Sequence, residues 1–422
     1  MRGLFLGRVN LCVAASSNRT MEESISTEQL EETRPLRRRA PQPKLSPRYV
    51  HQFVEQIVGD DLHAKRVLSL ANGVVGVMHA AALAVHYIGQ GLAVAEGLDP
   101  KHAIKQVDRL LSNSAISVWS FFSRWVPFVV AQRKALRVAL DWTDFERDDQ
   151  TTIALYLLTS HGRATPLVWK TVKKSELKER QGGYEDEVIE RLHELLAPDV
   201  RVTLLADRGF GDQARYEHLD RLGFSFVIRF RDNILVQSAE GESKTAAEWV
   251  PTNGRAKLLR KARVTADRTE VGAVVCMKAA GMADAWCLAT NRTDLTPAQI
   301  VDLYGRRFTI EETFRDQKDI RFGMGLSSTH IKDPARRDRI LMLAAFAQGL
   351  LTLLGAASEA SGLDRVLKAN TVKKRTHSLF RQGSYWYLAL PNLREDRLRP
   401  LMEAFGKIVA DHEVSRELLG FI

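Results

Sequence analysis

The chain is poor in cysteine and lacks the short motifs of several large enzyme classes. Only Cys12, Cys276 and Cys287 occur among 422 residues, and no two form a CxxC pair. This scarcity argues against a disulfide framework or a zinc module and is typical of a reducing cytoplasm. The sequence also has no GxxxxGK[ST], GxSxG, HExxH or complete GxGxxG motif. P-loop, serine-hydrolase, zinc-protease and dinucleotide-binding functions therefore have no motif to support them.

Long apolar runs are also scarce. The longest, residues 340–357, contains Gln348 and Gly349 and is rich in small residues. It lies near the lower length limit of a membrane span. We predict a buried core helix here, and a membrane protein is the distant alternative.

What the chain has in excess is positive charge. The formal net charge is +10 and the pI is about 9.5, with Arg and Lys spread along the whole sequence. A globular protein this basic most often meets a polyanion, nucleic acid first and anionic membrane second. A merely basic soluble enzyme is the alternative that composition leaves open.

The first 130 residues predict a leader and a helical unit. Residues 1–45 are polar, charged and proline-containing, which predicts a disordered basic leader. Residues 46–130 show a helical pattern. One of the predicted helices has apolar residues at helical spacing and basic residues on another face: Ile104, Val107, Leu110 and Leu111, and Lys101, Lys105 and Arg109. This pattern is compatible with a helical DNA-binding domain, and an ordinary amphipathic helix explains it equally well.

From residue 131 the pattern predicts an α/β or α+β domain with a mixed sheet. The stretches "ALRVALDW", "TTIALYLLTS" and "ATPLVWKTV" predict three consecutive strands, the first ending at Asp141. A helix, a strand ending at Asp207, a helix and a strand follow. The first part of the core spans residues 131–230. It is followed by a β-rich insertion at 231–300, a second, helical part of the core at 301–375 and a C-terminal helical region at 376–422.

Three acidic residues are candidates for chemistry. Asp141 and Asp207 each end a buried strand, where ligands collect in α/β folds, although a helix N-cap is the alternative for either. The third acid lies in "YGRRFTIEETFRDQK", which begins at Tyr304. At roughly 100° per residue, one helical face within about 60° would hold Tyr304, Arg307, Glu311 and Lys318. Glu312 would lie roughly 100° off that face, and a solvated charged helix is the alternative for the whole stretch.

This combination of residue types indicates phosphodiester chemistry. Three carboxylates without His or Cys neighbours suit Mg²⁺ or Mn²⁺ rather than zinc. Two such ions activate an attacking oxygen and stabilise a leaving one. Arg and Lys side chains hold non-bridging phosphate oxygens.

The sequence resembles the insertion-sequence 4 (IS4) family of DDE transposases over about residues 60–400. The family signature Y-x2-R-x3-E-x6-K is filled without a spacing error by Tyr304, Arg307, Glu311 and Lys318. The stretches "LDWTD" and "ADRGF" resemble the family's first and second acidic motifs. The resemblance implies an RNase H-like catalytic core interrupted by a β-rich insertion. It also implies that two divalent metal ions, Mg²⁺ or Mn²⁺, are bound by Asp141, Asp207 and Glu311.

The resemblance also implies a set of DNA contacts. Tyr304, Arg307 and Lys318 would touch the backbone of the transposon-end DNA. Trp286 matches the family's Trp that stacks on a flipped base, and an ordinary strand Trp is the alternative. Arg208 would also contact DNA unless it forms a salt bridge with a neighbouring acid. The stretch "KHAIKQVDRLLSN" resembles the family's helical end-binding region.

We therefore expect a bacterial, cytoplasmic, nucleoid-associated transposase that acts on double-stranded DNA. It would bind the terminal inverted repeats of its element, cut by metal-activated water and join the 3′-OH to target DNA. Two ends must be held together, which implies a homodimer or larger assembly. An RNase H-like nuclease that cannot join strands is one alternative. A catalytically inactive DNA-binding regulator derived from a transposase is the other.

Overall fold

A computed structural model describes residues 45–410 of the chain. All of the predicted leader except its last residue lies outside this range, as do Cys12 and the end of the predicted C-terminal region. The helices are α1 (Pro47–Val58), α2 (Ala64–Ala80), α3 (Val85–Glu96), α4 (Pro100–Leu111), α5 (Val118–Val130), α6 (Gln181–Leu195), α7 (Gln213–Arg221), α8 (Pro297–Gly305), α9 (Thr309–Lys318), α10 (Pro334–Ala360), α11 (Leu379–Ala389) and α12 (Glu395–Ala410). The strands are β1 (Ala135–Phe145), β2 (Gln150–Leu158), β3 (Ala164–Lys173), β4 (Arg201–Ala206), β5 (Ser225–Phe230), β6 (Leu235–Gln237), β7 (Ser243–Thr245), β8 (Lys257–Val264), β9 (Thr269–Met277) and β10 (Trp286–Thr290).

All ten of these strands form one mixed sheet in the order β3-β2-β1-β4-β5-β10-β9-β8-β6-β7. β1, β2 and β3 pair antiparallel, whereas β4 runs parallel to both β1 and β5. The predicted α/β class with a mixed sheet is confirmed, and the order is consistent with an RNase H-like core. The predicted insertion continues the same sheet, because β10 pairs antiparallel with β5. The domain boundaries stay predictions.

The helices before β1 pack closely on one another and on the sheet. A Cβ atom at Gly89 would lie 2.4 Å from Ile104 Cα, so this glycine permits the close contact of α3 with α4. Trp125 of α5 is fully buried, and its Nε1 donates to the Pro166 carbonyl of β3 at 2.7 Å. Buried apolar side chains of these helices and of the sheet belong to one hydrophobic core. The function predicted for the helical region stays a prediction.

α10 is the longest of these helices and contributes many residues to the hydrophobic core. It is long and apolar enough to span a membrane, but 94 % of its apolar window is buried inside the fold. Against it packs α11, through Gly355 and Gly383. The prediction of a buried core helix over 340–357 is therefore confirmed.

Asp338, near the start of α10, is a partly buried acid whose ionisation affects folding. Its Oδ1 accepts a hydrogen bond from the backbone N–H of Thr171 in β3 at 3.0 Å. Burial raises the pKa of the carboxyl group to about 7, against the opposing effects of Thr171, Lys170 and Arg337. An unfolded Asp has a pKa near 4. Between about pH 4 and 7 the folded protein thus holds a proton that the unfolded chain has released.

This difference predicts a pH dependence of stability. The contribution of Asp338 is fully present below about pH 4 and is lost as the pH rises through 7. Relative to Asp338→Asn, we expect the free energy of unfolding of the native protein to fall by on the order of 1 kcal/mol per pH unit in this window. Urea titrations of both proteins from pH 4.5 to 7.5 measure the difference. Parallel curves would contradict the assignment.

Candidate active site

Two of the three predicted acids lie side by side on neighbouring strands of the sheet. The parallel pairing of β1 with β4 ends at the pair Leu140 and Ala206, and Asp141 and Asp207 are the next residue on each side. Asp207 follows its strand as predicted, and its Oδ1 accepts from the backbone N–H of Arg208 at 2.7 Å. The prediction that β1 ends at Asp141 is wrong. β1 continues to Phe145, because it keeps its antiparallel pairing with β2 after its pairing with β4 has ended.

The signature stretch is not one continuous helix. α8 ends at Gly305, a 3₁₀ turn covers Arg306–Phe308, and α9 begins at Thr309. The prediction of a single face on one regular α-helix is therefore wrong. Glycine disfavours helix continuation, and the tighter turn places Phe308 against the ring of Trp286. The signature residues still approach the aspartates, except for Lys318.

Arg307 joins two of the acids. Its side chain is 4 % exposed, and its Nη1 donates to Asp141 Oδ2 at 3.1 Å. Its Nη2 donates to Glu311 Oε1 at 2.7 Å. One buried guanidinium thus connects β1 with the first turn of α9. A buried arginine held by two carboxylates is fixed in orientation as well as charge.

Tyr304 reaches the third acid. The residue is fully buried, and its hydroxyl lies 3.4 Å from Asp207 Oδ1, to which it donates. Burial raises the pKa of the phenol to about 12, so the hydroxyl keeps its proton at neutral pH. Tyr304 and Arg307 together therefore contact Asp141, Asp207 and Glu311.

Negative charge is concentrated at this point. Burial raises the pKa of Asp141 to about 6, Arg307 opposes the rise, and the charges of Glu311 and Asp207 add to it. Burial alone would lower the pKa of Arg307, but the neighbouring phenol and carboxylates outweigh it and raise that pKa. The three acids repel one another, so a further cation bound at this site would relieve that repulsion.

The donor types fit Mg²⁺ or Mn²⁺, because carboxylate oxygens are the ligands that these ions prefer. Their placement, however, is that of an ion-pair network centred on Arg307 and not that of a set of metal ligands. Within residues 45–410, no three His, Cys, Asp or Glu side chains lie together as a ligand set. The guanidinium between Asp141 and Glu311 supplies the positive charge there.

Lys318 lies apart from the other signature residues, at the end of β1. Its Nζ donates to Thr143 Oγ1 at 3.0 Å and to the Asp144 carbonyl at 2.8 Å, over the ring of Phe145. Burial lowers the pKa of the ammonium, against the attraction of Asp144. The lysine fastens the end of α9 to the strand that carries Asp141. The sequence motif identifies Lys318 as a candidate residue, but it does not predict the contacts that Lys318 makes with β1.

The neighbouring Glu312 belongs to a different network. Its carboxylate pairs with Arg315 and lies 3.8 Å from Arg163 Nη1. Its side chain is 40 % exposed, on another side of α9 from the one that Arg307 contacts. The two adjacent glutamates thus have different surroundings, as the helical spacing predicts.

Two aromatic rings stand beside the acids. Trp286 opens β10, and its ring packs edge-on to Tyr304 and nearly parallel to Phe308, with centroids 6.0 Å apart in the second pair. Phe308 is 40 % exposed. Phe308 was not among the residues predicted from the sequence, although its position within the signature stretch could have identified it as a candidate.

Arg208 has an exposed side chain next to Asp207. Its Nη1 lies 3.9 Å from Asp284 Oδ2, at the limit of an ion pair, and the side chain is 57 % exposed. Arg229, which sequence reasoning did not single out, donates to the Ala285 carbonyl just ahead of Trp286. The salt-bridge alternative for Arg208 is present here in a loose form.

Residues 178–349 match the family model described as "Transposase DDE domain". The match includes Asp207, Glu311 and the whole Tyr–Arg–Glu–Lys signature, whereas Asp141 precedes it. No curated protein matches the chain. A segment of the transposase DDE type, set in a mixed α/β fold consistent with an RNase H-like core, thus supports a DDE transposase.

Proposed function

We propose that the protein is a transposase of the IS4 type, which cuts its element's DNA ends and joins them to a target. The convergence of Asp141, Asp207 and Glu311 on the buried Arg307 and Tyr304 carries this proposal. Acids from two adjacent strands and one helix are linked by these two side chains, because Arg307 binds Asp141 and Glu311 and Tyr304 binds Asp207. A purely structural ion pair requires one acid, whereas Arg307 pairs with two and the adjacent Tyr304 binds a third.

Each group has a distinct role in the proposed reaction. Asp141, Asp207 and Glu311 would hold two Mg²⁺ or Mn²⁺ ions, which when bound supply an activated attacking oxygen and stabilise the leaving one. Arg307 and Tyr304 orient the carboxylates through the hydrogen bonds described above. Because both side chains are buried, we propose that they contact DNA only where a phosphate lies directly against the three acids.

The surface around the acids suits DNA. Arg208 presents an exposed guanidinium that can hold a phosphate in a bidentate manner. The half-exposed Phe308 beside Trp286 offers a surface on which an unstacked base could stack. Lys318 binds the end of β1 and would act as a positioning residue beside its proposed DNA contact. We propose a homodimer or larger assembly for synapsis of two ends.

The test is an assay of cleavage and joining. The native protein is incubated with Mg²⁺, a target plasmid and a duplex that carries the DNA flanking its gene. We expect nicked ends and joined products, their loss in EDTA, and their loss in Asp207→Ala with duplex binding retained. Binding itself should weaken steeply with salt, because phosphate contacts dominate.

The alternatives give different outcomes in the same assay. Cleavage without joined products would support the nuclease. If Asp207→Ala leaves cleavage and joining unchanged, the proposed role of the acids is wrong and the DNA-binding regulator is favoured.

A further inference from the structure

The turn that follows α9 presents two large apolar side chains to solvent. Ile320 is 69 % exposed and Phe322 is 67 % exposed, and the exposed Arg321 stands between them. Apolar side chains this exposed are common singly on protein surfaces. Two of them on one short turn, directly after the helix that carries Glu311, are a more specific feature.

The backbone of this turn is held rigidly. Asp319 Oδ1 accepts from the backbone N–H groups of Arg321 and Phe322, both at 2.7 Å, and these bonds lower the pKa of the Asp319 carboxyl group. The Asp319 carbonyl accepts from the N–H groups of Gly323 and Gly325 at 3.1 and 3.0 Å. A Cβ atom at Gly323 would lie 2.4 Å from the carbonyl oxygen of α9 residue 316. Only glycine therefore allows the chain to fold back this tightly.

A second contact fixes the turn to the helical unit. The Met324 N–H donates to the carbonyl of residue 316 at 2.7 Å, and the Met324 carbonyl accepts from the Leu83 N–H at 2.8 Å. Met324 is itself buried. Because the turn is anchored on both sides, Ile320 and Phe322 lose little conformational freedom when they enter a partner.

The length of α9 between Glu311 and the turn is comparable with the rise of a few base pairs of DNA. Glu311 and Lys318 are seven residues apart on α9, which is roughly 10 Å along the helix axis. Successive nucleotides of one strand rise about 3.4 Å along a duplex. A duplex with its scissile phosphate at the acids and its axis along α9 would bring the turn about three to four base pairs from the cut.

We propose that residues 319–323 form a DNA wedge, in which Ile320 and Phe322 enter a base-pair step and Arg321 binds a flanking phosphate. Proteins that kink or unstack DNA insert apolar side chains of this kind between bases. The exposed arginine between the two apolar residues favours DNA over a second copy of this chain. The proposal rests on the proposed function, because it uses the acids to place the duplex.

The test measures unstacking without catalysis. A 40-base-pair duplex from the DNA flanking the gene carries 2-aminopurine at one of several successive positions, and binding is measured in EDTA. We expect the native protein to raise the fluorescence at one step three to four base pairs from the cut. Ile320→Ser/Phe322→Ser should lose the rise and bind about tenfold more weakly, with an unchanged melting temperature because both side chains are exposed.

Tyr385→Ser/Leu388→Ser is the matched control, since these residues of α11 are 51 % and 49 % exposed. This variant should keep the rise. A rise retained by the wedge variant, or absent from the native protein at every position, overturns the proposal. Loss of self-association in sedimentation with the rise retained overturns it in favour of a contact between copies. Native protein that unstacks DNA but does not cut it with Mg²⁺ refutes the proposed function and leaves the wedge standing, whereas cutting without unstacking refutes the wedge alone.

Discussion

Glu311→Gln is expected to lower the rate of DNA cleavage by about 10³-fold or more, while Glu312→Gln stays within about threefold of the native rate. Gln keeps the size of the side chain and its hydrogen-bonding ability but removes its charge. At Glu311 that charge belongs to the network in which Arg307 pairs with both Asp141 and Glu311. At Glu312 it belongs to a half-exposed pair with Arg315, and such pairs contribute little.

The comparison of these neighbouring positions controls for effects on α9. Both changes lie in the first turn of the helix, so each removes the same favourable interaction with its N-terminus. Melting curves should shift by a similar small amount in the two variants. Single-turnover cleavage of labelled duplex DNA measures the rates. Equal losses of cleavage in the two variants would show that the acids act through the helix and not through the site.

The sequence predicted the core strands and the family signature, because both rest on local patterns. Alternating apolar residues identified β1, and a buried run identified β4 and the position of Asp207 after it. The fold of the insertion was not predictable in this way. Its joining to the core sheet depends on pairing between β10 and β5, which are far apart in the sequence.

The site was predictable in composition but not in geometry. The spacing of Tyr304, Arg307 and Glu311 identified the right residues, although the helix that carries them breaks at Gly305. Periodicity assumes a regular helix and cannot anticipate a 3₁₀ turn. It also could not show that Lys318 would bind the end of β1, because that contact depends on how α9 packs against the sheet.

Gly383→Ala is expected to destabilise the protein by about 3 kcal/mol or more, because the added methyl group has no space. α11 crosses α10 so closely that a Cβ atom at Gly383 would lie 1.7 Å from the carbonyl oxygen of Leu351. The obstructing atom is backbone, which cannot rotate away as a side chain would. Urea unfolding measures the loss. Gly182→Ala in α6 is the matched control, since its Cβ would meet nothing within 4 Å and alanine favours a helix by about 0.5–1 kcal/mol.

The same substitution should also reduce DNA cleavage, because α10 supports the strand that carries Asp141. Arg337 of α10 is fully buried, donates to Asp148 Oδ2 at 2.5 Å and to Gln150 Oε1 at 2.6 Å, and lies over the ring of Phe145. These contacts hold the connection between β1 and β2. Displacement of α10 by Gly383→Ala would loosen the strand end on which Lys318 also depends. If the Gly383→Ala protein unfolds at the same urea concentration as the native protein, α10 and α11 do not pack as closely as described.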